Sequence, residues 1–217
     1  MAGTYSEELV YTESEDGLTL EGVVIRPASG APARPVALIW VHGLTGKFYG
    51  SSAIRVGRVL AGNGYTVISG NNRGHDFGTM LRRADGTAVL GGGGWECFDE
   101  SPRDVAAWIS FAESLGFGRV VLFGHSLGAL KVVYYQAARQ DPRVVGLVAG
   151  SPPVRAGRSD PSLVAQAERM VAEGRGQDLL AWGTSPAGAG THSAQTYLNR
   201  VRTGIDMYGA DVPDPAV

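Results

Sequence analysis

The chain has one cysteine, Cys97, in 217 residues, which excludes an internal disulfide framework and fits a reducing compartment. It also lacks a charge excess. A net charge of -2 and a pI near 6.1 give no electrostatic reason to bind nucleic acid or an anionic membrane. No apolar run approaches membrane-spanning length. Met1–Gly17 is polar and acidic, without the basic region or apolar run of a signal peptide, so a cytoplasmic location is expected. The four histidines show no metal-ligand spacing, and Gly91–Gly94 is not followed by a phosphate-loop lysine. No metal and no cofactor are therefore implied. With 44% hydrophobic and 18% charged residues, the composition is that of a globular protein, of a length that suits one domain.

Against these absences stands one informative stretch, Gly118–Val133. Arg119–Phe123 is a β-branched, apolar run of the length expected for a buried strand, and Leu127–Gln140 has helical spacing with Leu127, Leu130, Val133 and Tyr134 on one side. Between them lies Gly124-His125-Ser126-Leu127-Gly128, a G-x-S-x-G sequence. Small residues two before and two after the serine let strand and helix approach closely around a strained turn that exposes its hydroxyl. The N-terminus of the following helix aims backbone N–H groups at any anion forming there. In a chain with 32 glycines the motif alone is weak, and the strand–turn–helix context gives it weight.

The remaining elements follow in order. Glu8–Glu13 and Leu18–Arg26 flank an Asp16-Gly17 turn signal and predict an edge hairpin. Val36–Val41 and Tyr65–Ser69 are buried strands around a helix at Ser51–Gly62, whose apolar residues are Ile54, Val56, Val59 and Leu60. A long Gly-rich connection from Gly70 to about Asp99, without regular structure, leads to a helix at Ser101–Leu115, with Ser101 as N-cap and Pro102 first in the helix. Val144–Ala149 is the last buried strand, and helices follow at Pro161–Gly174 and Ser193–Tyr208. Strands alternating with amphipathic helices predict an α/β fold, a mostly parallel sheet with helices on both faces. Residues 1–153 form its core and 154–217 a helical cap after the sixth strand. Ligand groups should gather at the strands' C-terminal ends, where His42-Gly43 and Ser126 fall.

Through His42-Gly43 after one strand, Asn72-Arg73-Gly74-His75 after the next and Gly124–Gly128 at the elbow, the chain resembles the α/β-hydrolase superfamily over Leu18–Pro153. The resemblance implies Ser126 as nucleophile and the backbone N–H groups of Leu127 and Leu44 as an oxyanion hole. It implies a small, fairly apolar ester or related acyl bond as substrate; a thioesterase or acyltransferase would use the same serine. Ring hydrogen bonds of His42 are expected to shape the oxyanion loop, and His42, Gly43 and His125 to line the substrate pocket. His75 and Asp76 read as loop-stabilising neighbours, Cys97 as a packed thiol, and Lys and Arg residues as a scattered, solvated surface.

The family carries its acid and its histidine after two later strands, and neither strand is present here. His192 is the only histidine after Ser126. Three readings follow. The preferred one makes this the N-terminal part of a longer protein, with acid and histidine beyond Val217. In the second, His192 is the base, oriented by Asp160, Asp206 or Asp211. In the third, the chain is a non-catalytic ligand-binding or regulatory relative. A sheet ending at the sixth strand leaves an edge through which copies could associate.

Overall fold

The continuously apolar runs become the inner strands of one sheet. In chain order the strands are β1 (Tyr5–Glu13), β2 (Thr19–Pro27), β3 (Ala37–Val41), β4 (Thr66–Gly70), β5 (Thr79–Arg82), β6 (Ala88–Gly91), β7 (Val120–His125) and β8 (Val144–Gly150). The helices are α1 (Ser51–Gly62), α2 (Ser101–Ser114), α3 (Leu127–Arg139), α4 (Pro161–Ala172) and α5 (Ala194–Arg202). This computed structural model describes residues 5–29, 33–153, 160–184 and 190–203.

The main sheet has the order β1-β2-β4-β3-β7-β8. Its strands β4, β3, β7 and β8 run parallel, while β1 and β2 form the antiparallel edge hairpin. The Asp16-Gly17 signal makes that turn, with Gly17 at φ 81, where a side chain would be strained. Because β3 lies between β4 and β7, Val41 pairs with Gly124. That register sets the residues after β3 beside the residues after β7.

Alternate residues of each strand serve two helical layers. Val24, Ile39, Ile68 and Leu122 pack against Val105, Trp108 and Ile109 of α2 and Val132 and Tyr135 of α3. Val23, Ile25 and Val67 pack on the other face against Ala61 of α1. Helix α1 bears out its expected apolar residues in part, through Ile54 and Leu60 packed against this cluster. Its buried residues are Ala53, Gly57 and Ala61, and Val59 is 65% exposed. A β-carbon at Gly57 would lie 2.6 Å from Ile25 Cδ1, so small residues every fourth position seat α1 close to the sheet. On α3, Val133 is likewise exposed and Lys131 is buried in its place.

Two further expectations change. The Gly70–Asp99 connection contains the β5–β6 hairpin, whose turn holds Asp85-Gly86 with Gly86 at φ 84 and Asp85 Oδ1 accepting from Thr87 N at 2.8 Å. The Asp-Gly rule applied at residue 16 would have found it. Helix α2 begins at Ser101 itself after a 3₁₀ turn at Phe98–Glu100, and no side chain caps it. Glu100 therefore occupies the cap position expected for Ser101.

Helices α4 and α5 pack through Ala167, Met170, Leu180, Ala194 and Tyr197. Asp160 and Ser193 cap them, accepting from Ser162 N and Thr196 N. The end of the second predicted helix lies outside the described residues. Among the described residues, no helix is long and apolar enough to cross a membrane.

Candidate active site

Ser126 occupies the sharp turn between β7 and α3, with φ 55 and ψ -124. This backbone region is essentially open only to glycine, and holding a serine there costs about 1–3 kcal/mol. The surroundings enforce it. Ser126 N–H donates to Gly150 O at 2.8 Å, and Ser126 O accepts from Ala129 N at 2.9 Å. A β-carbon at Gly124 would press into the carbonyl of Gly128, and one at Gly128 would meet Val41 O. A β-carbon at Gly43 would lie 2.8 Å from Ser126 Cβ. Glycine at these three positions lets α3, the β3 exit and the elbow pack backbone to backbone.

A cavity of about 320 Å³ opens on Ser126, lined also by His125, Trp40, His42, Gly43, Leu44, Lys47 and the first turn of α1. Among the described residues, the backbone N–H groups of Leu44 and Leu127 donate to no protein acceptor. Leu44 lines the same cavity as Ser126, and Leu127 follows Ser126 as the first residue of α3. Ser126, Leu127, Leu44, His42, Gly43 and His125 are thus brought together. Among the described residues no cluster of His, Cys, Asp and Glu could hold a metal.

All four histidines have defined surroundings. The buried His42 ring donates from Nδ1 to Gly43 O at 2.8 Å and accepts at Nε2 from Asn72 N at 3.0 Å. Burial, aided by the charge of Lys131, pushes its pKa down to about 3 and keeps it neutral. The His125 ring stacks on Trp40, centroids 5.9 Å apart, and Trp40 stacks on Phe123 at 4.5 Å. His75 Nδ1 pairs with Asp76 at 2.9 Å, and Lys47 clamps the same carboxylate at 2.7 Å.

His192 has partners other than Ser126, which speaks against it as base. Its Nδ1 donates to Gly93 O at 3.1 Å, and its Nε2 accepts from Arg200 at 2.7 Å. Burial, with the Arg200 charge, pushes its pKa down to about 4. A ring nitrogen that already receives a guanidinium proton cannot take one from a serine. Asp160 is committed to capping α4, and Asp206 and Asp211 lie outside the described residues. No histidine of this chain hydrogen-bonds Ser126 among the described contacts.

The two depressed histidines give a signed pH prediction. Unfolded histidines take up protons below about pH 6.5, while folded His42 and His192 refuse them until about 3 and about 4. The unfolded state therefore binds more protons, and stability falls as pH falls. Each histidine contributes a slope of up to about 1.4 kcal/mol per pH unit. Urea unfolding between about pH 6.5 and about pH 4.5 should show this loss, and His192→Gln should roughly halve it. A flat profile would contradict the assignment.

The sequence reading missed two buried charges. Arg73 is bonded to Asp104, Asp16 and Glu100, and Lys131 to Asn72 and Glu96, so neither belongs to a solvated surface. The available signal was the position of Lys131 inside the apolar run Leu127–Val133. Cys97 is a half-buried free thiol that burial, with Glu100 nearby, pushes up to about 11, which makes it a poor nucleophile.

A family model described as alpha/beta hydrolase fold matches residues 36–206. The chain is 29% identical over 120 residues to phospholipase YtpA of Bacillus subtilis (strain 168), which covers 55% of this chain and 41% of that relative. The chain thus spans about two-fifths of the length of this curated relative. Among solved structures, the alpha/beta hydrolase GrgF from Penicillium sp. sh18 gives a TM-score of 0.70 at 16% identity, covering 96% of this chain and 78% of that one. Est1E from Butyrivibrio proteoclasticus, solved with ferulic acid bound, gives 0.60 at 18%, covering 88% and 70%. At such identities the structural likeness speaks for the fold alone.

Proposed function

Because the chain belongs to the alpha/beta hydrolase fold family, we propose that it is a serine hydrolase acting on a small, fairly apolar carboxylic ester or related acyl bond. The observation that carries this reading is Ser126 held at φ 55 in the turn that opens α3, on a cavity that Leu44 also lines. In the proposed reaction Ser126 Oγ attacks the carbonyl carbon and gives up its proton to a base. The carbonyl oxygen becomes an oxyanion between Leu44 and Leu127 N–H, fixed donors that act on the charge as it develops. Collapse expels the alcohol and leaves an acyl-enzyme, which water then cleaves. The cavity of about 320 Å³, walled by Trp40, Leu44 and Ala53, suits a small acyl or leaving group. Helices α4 and α5 serve as its cap, joined to the loop after β6 by Ser193 N–H donating to Gly94 O at 2.7 Å.

The base and its acid come from residues beyond Val217 in this reading, since each histidine of the chain is placed otherwise. The exposed Val145, Leu147 and Val148 of edge strand β8, each 40–42% exposed, support further structure on that side. A non-catalytic, ligand-binding relative is the second reading, favoured by the lack of a histidine bonded to Ser126 among the described contacts. Rapid-quench kinetics on short-chain p-nitrophenyl esters with the full-length protein separate the two. The hydrolase reading expects a burst of p-nitrophenol and an acyl group on Ser126; tight ester binding with no acyl group would favour the second.

A further inference from the structure

Lys131 is fully buried on α3, where a solvated charge was expected. Its ammonium forms an ion pair with Glu96, itself 5% exposed, and donates to Asn72 Oδ1 at 2.9 Å. Taking two charges out of water costs several kcal/mol each, and apolar residues of similar volume usually pack at least as stably. Stability alone therefore does not account for this pair.

From Asn72 a continuous chain of hydrogen bonds runs to the site. Asn72 Oδ1 also accepts from Gly74 N at 3.1 Å, so its oxygen faces two donors and its Nδ2 turns toward His42 O at 3.3 Å. The reversed amide would set an NH₂ against the ammonium and a carbonyl against a carbonyl. Thus oriented, Asn72 donates its backbone N–H to His42 Nε2 at 3.0 Å, which leaves the ring proton on Nδ1. That proton goes to Gly43 O at 2.8 Å. A trans peptide is planar, with its C=O and N–H pointing in opposite directions. Holding Gly43 O on the His42 ring therefore turns the N–H of the same peptide, that of Leu44, the other way.

We propose that Lys131 is a positioning residue for the Leu44 oxyanion donor, acting through the Asn72 amide and the His42 ring. The inference rests on the serine hydrolase reading of Ser126. Glu96 supplies the counter-charge from the loop after β6. It lies against Gly74, where a β-carbon would run into its carboxylate, so glycine at 74 belongs to the same device. The depressed pKa of His42, to which the Lys131 charge contributes, agrees with a ring kept in one neutral form.

The test uses the full-length protein and the double variant Lys131→Met/Glu96→Gln, which removes both charges and leaves neither stranded. Asn72→Ala, which cuts the chain but keeps the ion pair, is the second variant should the first not fold. Two readouts go beyond structure: the split of kcat and KM on a p-nitrophenyl ester, and the tautomer of His42 from nitrogen NMR of the ring. Losing an aligned oxyanion donor should lower kcat about tenfold to a hundredfold with KM within about twofold. The His42 ring should at the same time lose its single Nδ1-protonated pattern. A folded variant with unchanged kcat and unchanged ring signals would overturn the proposal. Wild-type protein that folds but does not turn over would instead remove the hydrolase reading beneath it.

Discussion

Replacing Ser126 with glycine should abolish turnover and raise the unfolding midpoint. The hydroxyl is the only nucleophile in the proposed chemistry, so the loss should be on the order of a thousandfold or more. Stability should move the opposite way, because Ser126 at φ 55 and ψ -124 occupies a region natural to glycine. Releasing about 1–3 kcal/mol of backbone strain outweighs the roughly 0.5–1 kcal/mol that glycine loses through the freedom of the unfolded chain. For a chain of this size each kcal/mol moves the midpoint by about 2–4 °C. Ser126→Ala supplies the contrast: equally inert, it keeps the strain and gains nothing. Calorimetry beside ester kinetics reads both effects, and a Ser126→Gly protein melting below Ser126→Ala would refute the strained elbow.

Removal of the Asp104 carboxylate should cost the fold about 3–5 kcal/mol, the usual result of stranding one partner of a buried ion pair. Asp104 is wholly buried and accepts from Arg73 N at 2.8 Å and from Arg73 Nη2 at 2.9 Å, while Arg73 is itself 4% exposed. Asp104→Ala leaves that guanidinium with Asp16 and Glu100 at the rim, which are more exposed. Asp104→Asn keeps an oxygen for the backbone N–H and should lose less. Arg73 stands between Asn72 and Gly74, so the damage should reach the His42 loop as well as stability. Urea unfolding measures the cost; a loss below about 1 kcal/mol for Asp104→Ala would mean the rim carboxylates suffice.

Most of the fold was legible because its signals are local. Six strands, five helices and the elbow follow from apolar runs, helical spacing and Gly-bracketed turns, each contained within some fifteen residues. The β5–β6 hairpin was legible too, and was hidden only by the glycines around it. Helix faces were read less well. On α1 the buried side is Ala53, Gly57 and Ala61, and a search for large apolar residues passes over a stripe of small ones. The candidate site divides the same way. Ser126, Leu127, Leu44 and His42 lie in motifs, whereas the bonds of Lys131 to Glu96 and Asn72 span 35 and 59 residues, and that of Arg73 to Asp104 spans 31. Pairings at that distance leave no mark on one sequence until the sheet order brings α3 beside the loops after β4 and β6. His192 illustrates the converse. At a helix start it read as a cap or a solvated side chain, with a base as the lesser alternative, and only its bonds to Gly93 and Arg200 reveal a locked ring.

The central claim, that Ser126 is an activated nucleophile, is tested most directly by intact-mass spectrometry of the full-length protein after exposure to a fluorophosphonate, with Ser126→Gly alongside. The account predicts a single adduct on the wild type, mapping to Ser126, and none on the glycine variant. A folded wild-type protein that takes up no probe, or takes it up on another residue, would contradict it.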